Sequence, residues 1–329
     1  MTVREHISLL PYNTFGIDVQ AKVVAEYANV QELQELLNRY RGERILAVGE
    51  GSNLLFTGDY DGVVLISRMC KARARKETET EVWIEAESGL KLDDLIAQLV
   101  DMNLTGLENL SHIPGTVGAS AVQNVGAYGV EAKDVIEQVE AVEIATSRVR
   151  VFDNKECRYG YRDSIFKNEY KGQYIITKVV YRLQKDGALH TEYGGLKGVN
   201  ARNARQVRDA VIQIRRDKLP EVGEIGSAGS FFKNPVVEKA VFENICRQYP
   251  QVPHYDVDGG VKIPAAWLIE QCGWKGKQMG GAEVYAKQPL VIINRGKAAP
   301  QDIMNLAQAI VDSVNNTFGI NIYPEVNYI

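Results

Sequence analysis

Apolar strand patterns at Val139–Ile144 and Val149–Phe152 lie only four residues apart, and a third follows at Tyr174–Leu183. A parallel crossover needs a dozen residues or more, so these segments predict an antiparallel sheet. Upstream, Glu81–Glu85 alternates in the same way, and Leu92, Leu95, Ile96 and Leu99 then form a helical stripe. The first sixty or so residues read differently, as a small α/β unit. Asn29 with Glu32 three positions on resembles a capping box ahead of Val30, Leu33 and Leu37, and short apolar strands follow at Ile45–Val48 and Val63–Ile66. Past a polar loop from Gln184 to Asn203, the stripe Val207, Ala210, Val211 and Ile214 stops near Pro220. A third unit holds a helix with Pro264 near its start and Gly273 just past its end, then a helix carrying Ile303, Leu306, Ile310 and Val314. A strand-like tail, Ile320–Ile329, closes the chain. The expected fold class is mixed α+β, and 329 residues at roughly 150 per domain suit two or three cores.

Composition narrows the function classes. A net charge of -4 and a pI near 5.8 argue against a general nucleic-acid binder, which needs a basic face. Cys70, Cys157, Cys246 and Cys272 form no Cys-x-x-Cys pair, and His6, His112, His190 and His254 show no ligand spacing, so no metal site is expected. Dispersed cysteines also fit a reducing compartment. Arg4, Glu5 and His6 stand where a secretory signal needs an apolar core, and no apolar run approaches the ~20 residues that span a membrane. The expectation is a cytoplasmic protein with neither a nucleic-acid nor a membrane partner.

Four segments carry candidate chemistry. Gly226 to Pro235 places Ser230 on a glycine-hinged turn beside Lys233 and Asn234. It reads as a site-like loop rather than a core strand, or else as a plain turn before a helix starting near Val236. The Gly-x-Ser-x-Gly elbow of serine hydrolases is not met there. Gly49–Leu54 and Ile113–Ala119 are glycine-rich; singly each reads more readily as a structural turn, but together they point to a phosphate-bearing cofactor cradled by backbone N–H groups, although the third glycine of the Rossmann fingerprint is missing. In Tyr161–Lys167, Arg162 has the planar fork that recognises carboxylates, while a snorkelling surface arginine is the alternative. Arg215, Arg216 and Lys218 end a helix, where either the helix dipole or a diphosphate accounts for them. Glu325 lies in an apolar or aromatic tail, as a half-buried acid or a solvent-facing one.

Taken together and in order, these segments resemble the UDP-N-acetylenolpyruvoylglucosamine reductase family nearly end to end. Asn13-Thr14-Phe15, Gln123–Gly129 and Pro324-Glu325-Val326 complete the set. The resemblance implies a three-domain flavoprotein of the vanillyl-alcohol oxidase, or PCMH-type, FAD-binding architecture with a C-terminal substrate domain. Its parts would be residues 1–67 and 68–213 plus 319–329 around FAD, and 214–318 around substrate. It implies reduction of UDP-N-acetylglucosamine enolpyruvate to UDP-N-acetylmuramate for the cell wall, with bound, non-covalent FAD and NADPH as hydride donor. Hydride would go to C3 and a proton from Ser230 to C2, with Arg162 and Glu325 stabilising the intervening charge.

By the same resemblance, Gly49, Gly51, Ser52, Asn53, Leu54, Ile113, Pro114, Gly115, Thr116, Gly118, Ala119, Asn124 and Gly126 hold FAD. Tyr193, Lys218, Asn234 and Gln288 grip the UDP-sugar, and Glu192-Tyr193-Gly194-Gly195 looks like the tyrosine loop of the longer subfamily. A monomer is expected. The chain departs from the family pattern at Asn327, where arginine is common, and at Ser227, where asparagine is common. On the residues alone, two rivals stay open: an oxidase of the same architecture, and a catalytically idle flavin or nucleotide-sugar binder.

Overall fold

The computed structural model describes residues 1–329. The chain folds into two compact units, Met1–Ser8 with Gln20–Glu50 and Tyr60–Asp217, and Leu9–Val19 with Gly51–Asp59 and Lys218–Ile329.

The first unit contains two sheets. One runs in the order Thr2–Ser8, Gln20–Tyr27, Tyr60–Ser67, Ile45–Val48, antiparallel at the first pairing and parallel at the other two. Its centre, Val63 to Ile66, is buried throughout, as expected of a parallel strand covered on both faces. Thr2–Ser8 is a mostly exposed polar edge strand with no apolar alternation to announce it. Helix Val30–Arg39 starts at Asn29, whose Oδ1 accepts the Glu32 N–H at 2.9 Å. Glu32 bonds back to the Ala28 N–H at 2.8 Å, one residue earlier than the expected capping box. Leu33, Leu36 and Leu37 pack on Val23, Ala25 and Leu65, and also on Val142 and Ile175 of the second sheet, so this helix helps to close the core between the sheets.

That second sheet is the expected antiparallel one. Its order is Val149–Asp153, Ile136–Glu143, Tyr174–Lys185, Glu81–Glu87, Ala72–Glu77. Val82, Ile84, Val139, Val179 and Tyr181 face Leu95, Ile96 and Leu99 of helix Leu92–Asp101 and Val117 and Ala121 of helix Val117–Gln123. Each such aliphatic side chain, fully buried, contributes about 1.5–3 kcal/mol, which fixes the short second helix although its own length could not. Tyr181 lies 3.3 Å from Ser120 through its hydroxyl, pinning that helix to the sheet.

In the second unit, Gly226–Ser230 pairs with Val291–Asn294, followed by Ala282–Val284 and Gln278–Met279. The expectation of a loop outside any sheet is therefore corrected. Gly229, at φ +67, sits in a register shift between Ser227 and Ser230, and this irregularity admits a glycine-rich segment that strand propensity disfavours. No helix begins at Val236; Val236–Val237 is a short strand and the helix is Lys239–Gln248. Helix Ala265–Gln271 has Pro264 at its N-cap and Gly273 at φ +72 beyond its end, as expected. The tail is regular strand only at Asn327–Tyr328, which pairs in parallel with Leu54–Leu55. No helix is long and apolar enough to cross a membrane.

Candidate active site

In the first unit, the two glycine-rich segments meet at Gly49 and Glu50. A Cβ on Gly49 would come to 2.8 Å from Thr116 Oγ1, and one on Gly118 to 2.9 Å from Ser88 Cβ, so both positions depend on bare backbone. Glu50 Oε2 accepts the Gly115 N–H at 2.6 Å, and its other oxygen pairs with Lys91 at 3.0 Å. Thr116 is the N-cap of helix Val117–Gln123, its Oγ1 accepting the Ala119 N–H. The Val117, Gly118 and Ser120 N–H groups go to the carbonyls of Leu90, Ser88 and Thr116. Most backbone donors of this segment are thus bonded inside the protein, unlike the exposed row that the glycine content suggested. What it offers a ligand is shape: small residues and a close approach of backbone.

Arg162 is positioned by the far end of the same helix. Asn124, its C-cap, is fully buried in the left-handed region, and its amide donates to Gly160 O at 2.7 Å and Glu131 at 3.0 Å while accepting the Lys133 N–H. Ser164 Oγ donates to Val122 O at 2.7 Å, and Lys167 donates to Gln123 and to the Arg162 carbonyl. Between these anchors Arg162 takes φ +54, and its Nη2 donates to Gly126 O at 2.6 Å. A Cβ on Gly126 would crowd the same guanidinium at 3.0 Å, so glycine there makes room for it. The arginine is half-buried and anchored at both its backbone and its guanidinium.

In the second unit, Ser230 is exposed at the end of its strand, and its hydroxyl meets no protein partner. Phe231 and Phe232 are fully buried and fix the turn beyond it. The Phe231 carbonyl accepts the Glu325 N–H at 2.7 Å, and Lys233 N–H donates to Tyr323 O at 3.0 Å. Ser230 and the half-buried Glu325, 95 residues apart in sequence, are thereby neighbours along paired backbones. Gly51–Leu54 supports the same tail: Asn53 Nδ2 donates to Glu325 O at 3.3 Å, and Asn327 Nδ2 donates to Asn53 O at 3.2 Å. Asn327 therefore serves as a backbone bracket where the family commonly has a cation. Ser227 is buried, its carbonyl accepting from Thr14 Oγ1 at 2.5 Å. Gly51 takes φ +65, and any side-chain carbon there would run into the Tyr12 carbonyl.

The remaining candidates differ in how far they are committed. Asn234 Oδ1 caps helix Ala265–Gln271 through the Ala265 N–H at 2.9 Å. Gln288 sits in the tight turn from Tyr285 to Val291. Lys218 is exposed at the end of helix Ala204–Lys218, whereas Arg215 is turned inward, donating to His112 O at 3.1 Å and meeting Tyr128. Tyr193 is exposed over Gly129. Sequence reasoning missed Glu50, although it stands inside a motif already singled out, because its use depends on a partner 65 residues away.

Residues 21–153 match a family model described as FAD binding domain, and residues 220–329 match one described as UDP-N-acetylenolpyruvoylglucosamine reductase, C-terminal domain. The chain is 43% identical over 337 residues to UDP-N-acetylenolpyruvoylglucosamine reductase of Flavobacterium johnsoniae, covering 100% of both chains. It is 46% identical to that of Bacteroides fragilis, over 99% of this chain and 100% of the other. Its fold matches the crystal structure of UDP-N-acetylenolpyruvylglucosamine reductase from Thermus caldophilus with a TM-score of 0.72 at 23% identity, covering 99% of each chain.

Proposed function

The chain belongs to the UDP-N-acetylenolpyruvoylglucosamine reductase family, and from that membership we propose how it reduces the enolpyruvyl ether of its UDP-sugar during peptidoglycan synthesis, with FAD as bound cofactor and NADPH as hydride donor. Bound FAD, once reduced, supplies a hydride to C3 of the enolpyruvyl group. Negative charge then develops at C2 beside an existing carboxylate, and managing it is the protein's task. The Arg162 fork suits a carboxylate because it donates two parallel hydrogen bonds, and its anchoring means little reorganisation is needed. On this reading Glu325 stands beside Arg162 at the same charge. Ser230 gives its hydroxyl proton to C2 and recovers one from water. A serine is a weak acid, so the step relies on a strongly basic acceptor. The observation that carries this reading is the Glu325–Phe231 backbone bond, which keeps the acid and the hydroxyl together.

Residues 49, 51–54, 113–116, 118, 119, 124 and 126 hold FAD on this reading, the bare backbone at Gly49, Gly51 and Gly118 favouring close approach. Tyr193, Lys218, Asn234 and Gln288 grip the UDP-sugar, Asn234 being oriented by the bond its Oδ1 accepts from the Ala265 N–H. We read the Tyr193 loop as the tyrosine loop of the longer subfamily. The three-part division into 1–67, 68–213 with 319–329, and 214–318 is then a functional one, and it cuts across the two compact units, in which 319–329 goes with the preceding hundred residues. We read the enzyme as a cytoplasmic monomer; its four free cysteines suit a reducing compartment. The test is an anaerobic absorption spectrum of the yellow protein. NADPH should bleach it and the enolpyruvyl UDP-sugar restore the colour; failure to recolour with that substrate refutes the assignment.

A further inference from the structure

Asn109 is fully buried, and it spends both amide hydrogens on carbonyls from two distant segments. Its Nδ2 donates to Tyr128 O at 2.9 Å and to His190 O at 2.7 Å, while Oδ1 has no partner. Tyr128 belongs to the turn on which Tyr193 rests: a Cβ on Gly129, at φ +85, would come to 3.2 Å from Tyr193 Cβ. His190 begins the run that carries Tyr193. One side chain thus ties the stem of that loop to its floor.

The neighbouring contacts mark out what this tie controls. The stem is also held farther back, where Thr105 Oγ1 donates to Gln184 O and accepts the Gly187 N–H at 3.1 Å. On the other side, fully buried Leu196 packs with Val207 and Val211, and Tyr128, Leu189 and Val199 close around them. Between His190 and Leu196 no backbone bond joins the run to a regular element, and Gly194 supplies a positive φ of +55. Tyr193 therefore sits on a short span that packing holds at Leu196 and that the Asn109 amide, with Leu189 packed beside it, holds at His190. An Asp or Leu in place of Asn109 keeps nearly the same shape but leaves two carbonyls without donors, one of them on the loop.

We propose that Asn109 is a positioning residue that sets where Tyr193 lies over the turn at Tyr128–Gly129, and through it the grip on the UDP-sugar. The second half of this rests on the assignment of Tyr193 to substrate binding above; the first does not. Asn109 touches no substrate itself.

The test uses the FAD-loaded enzyme and compares hydrogen–deuterium exchange in Asn109→Leu, Asn109→Asp and Asn109→Gln, the last keeping both donors on a longer arm. Exchange over residues 187–199 should quicken by about tenfold or more in the Leu and Asp variants, with helix Leu92–Asp101 of the same unit unchanged and the Gln variant partly rescued. Wild-type exchange across the loop in both donor-less variants, or an equal change in that helix, overturns the proposal. Should Asn109→Leu fail to fold, the Asp and Gln pair decides alone. In steady state, the KM for the enolpyruvyl UDP-sugar should rise several-fold while NADPH-driven flavin reduction stays at its wild-type rate. Faster loop exchange with an unchanged KM would uphold the tie and contradict the role given to Tyr193.

Discussion

Ser230→Ala separates the chemical role of this hydroxyl from any structural one. The side chain is exposed at a strand end and its hydroxyl has no partner in the protein, so alanine removes no internal hydrogen bond. Backbone pairing with Val291 is retained, as is the Gly229 irregularity beside it. Stability should therefore change by no more than about 0.5 kcal/mol, the ordinary range for a surface substitution. Losing a positioned proton donor costs about 10²–10⁴ in rate, equivalent to about 2.7–5.5 kcal/mol of barrier. Rapid mixing under anaerobic conditions reads the two half-reactions separately. Flavin reduction by NADPH should proceed at the wild-type rate, and reoxidation by the enolpyruvyl UDP-sugar should slow by that factor. Wild-type reoxidation in the variant would remove Ser230 from the chemistry. Equal slowing of both halves would show a disturbed flavin site instead.

Three further outcomes are expected. Arg162→Lys should lower kcat/KM by about 10²-fold or more with the flavin still bound, because a point charge cannot reproduce the fork; wild-type kinetics would take Arg162 out of the site. Gly51→Ala should lower the melting temperature and release flavin on gel filtration, since φ +65 and the Tyr12 carbonyl both oppose a side chain there, at a cost above about 1 kcal/mol; an unshifted melt would contradict the geometry. Burial pushes the Tyr27 hydroxyl up to about 12, against bonds to Ser67 and Ser88 that pull it down. Its contribution is fully present below pH about 10 and is lost as pH rises to about 12, because only the unfolded chain ionises in that window, a loss of about 3 kcal/mol. Denaturant titrations of wild type and Tyr27→Phe from pH 9 to 12 should show the variant with the flatter decline; parallel declines would contradict the shift.

How much of this was legible in the sequence depended on whether a signal was local. The antiparallel sheet was legible because its inner strands alternate or run apolar and bury Val139, Val179 and Tyr181. Thr2–Ser8 was not, since an exposed edge strand needs no apolar face. Gly226–Ser230 misled for the opposite reason: glycine and serine lack strand propensity, and pairing with Val291–Asn294 overrides it. The tail looked like a strand throughout, yet only Asn327 and Tyr328 find a ladder partner. Arg162, Ser230 and Glu325 stood out as candidates from their local sequence, and only the resemblance proposed a role for each. The backbone bond that makes Ser230 and Glu325 neighbours spans most of a unit, as do the contacts of Glu50 and Asn109, so no window of residues displays them.

Central to the proposed mechanism is that Ser230, Arg162 and Glu325 act on one enolpyruvyl group. A crystal structure of the FAD-loaded enzyme with the enolpyruvyl UDP-sugar examines this directly. It should place Ser230 Oγ within about 3.2 Å of C2, with Arg162 and Glu325 on the adjoining carboxylate. A substrate whose C2 lies beyond reach of Ser230, with Arg162 or Glu325 turned away from its carboxylate, would contradict it.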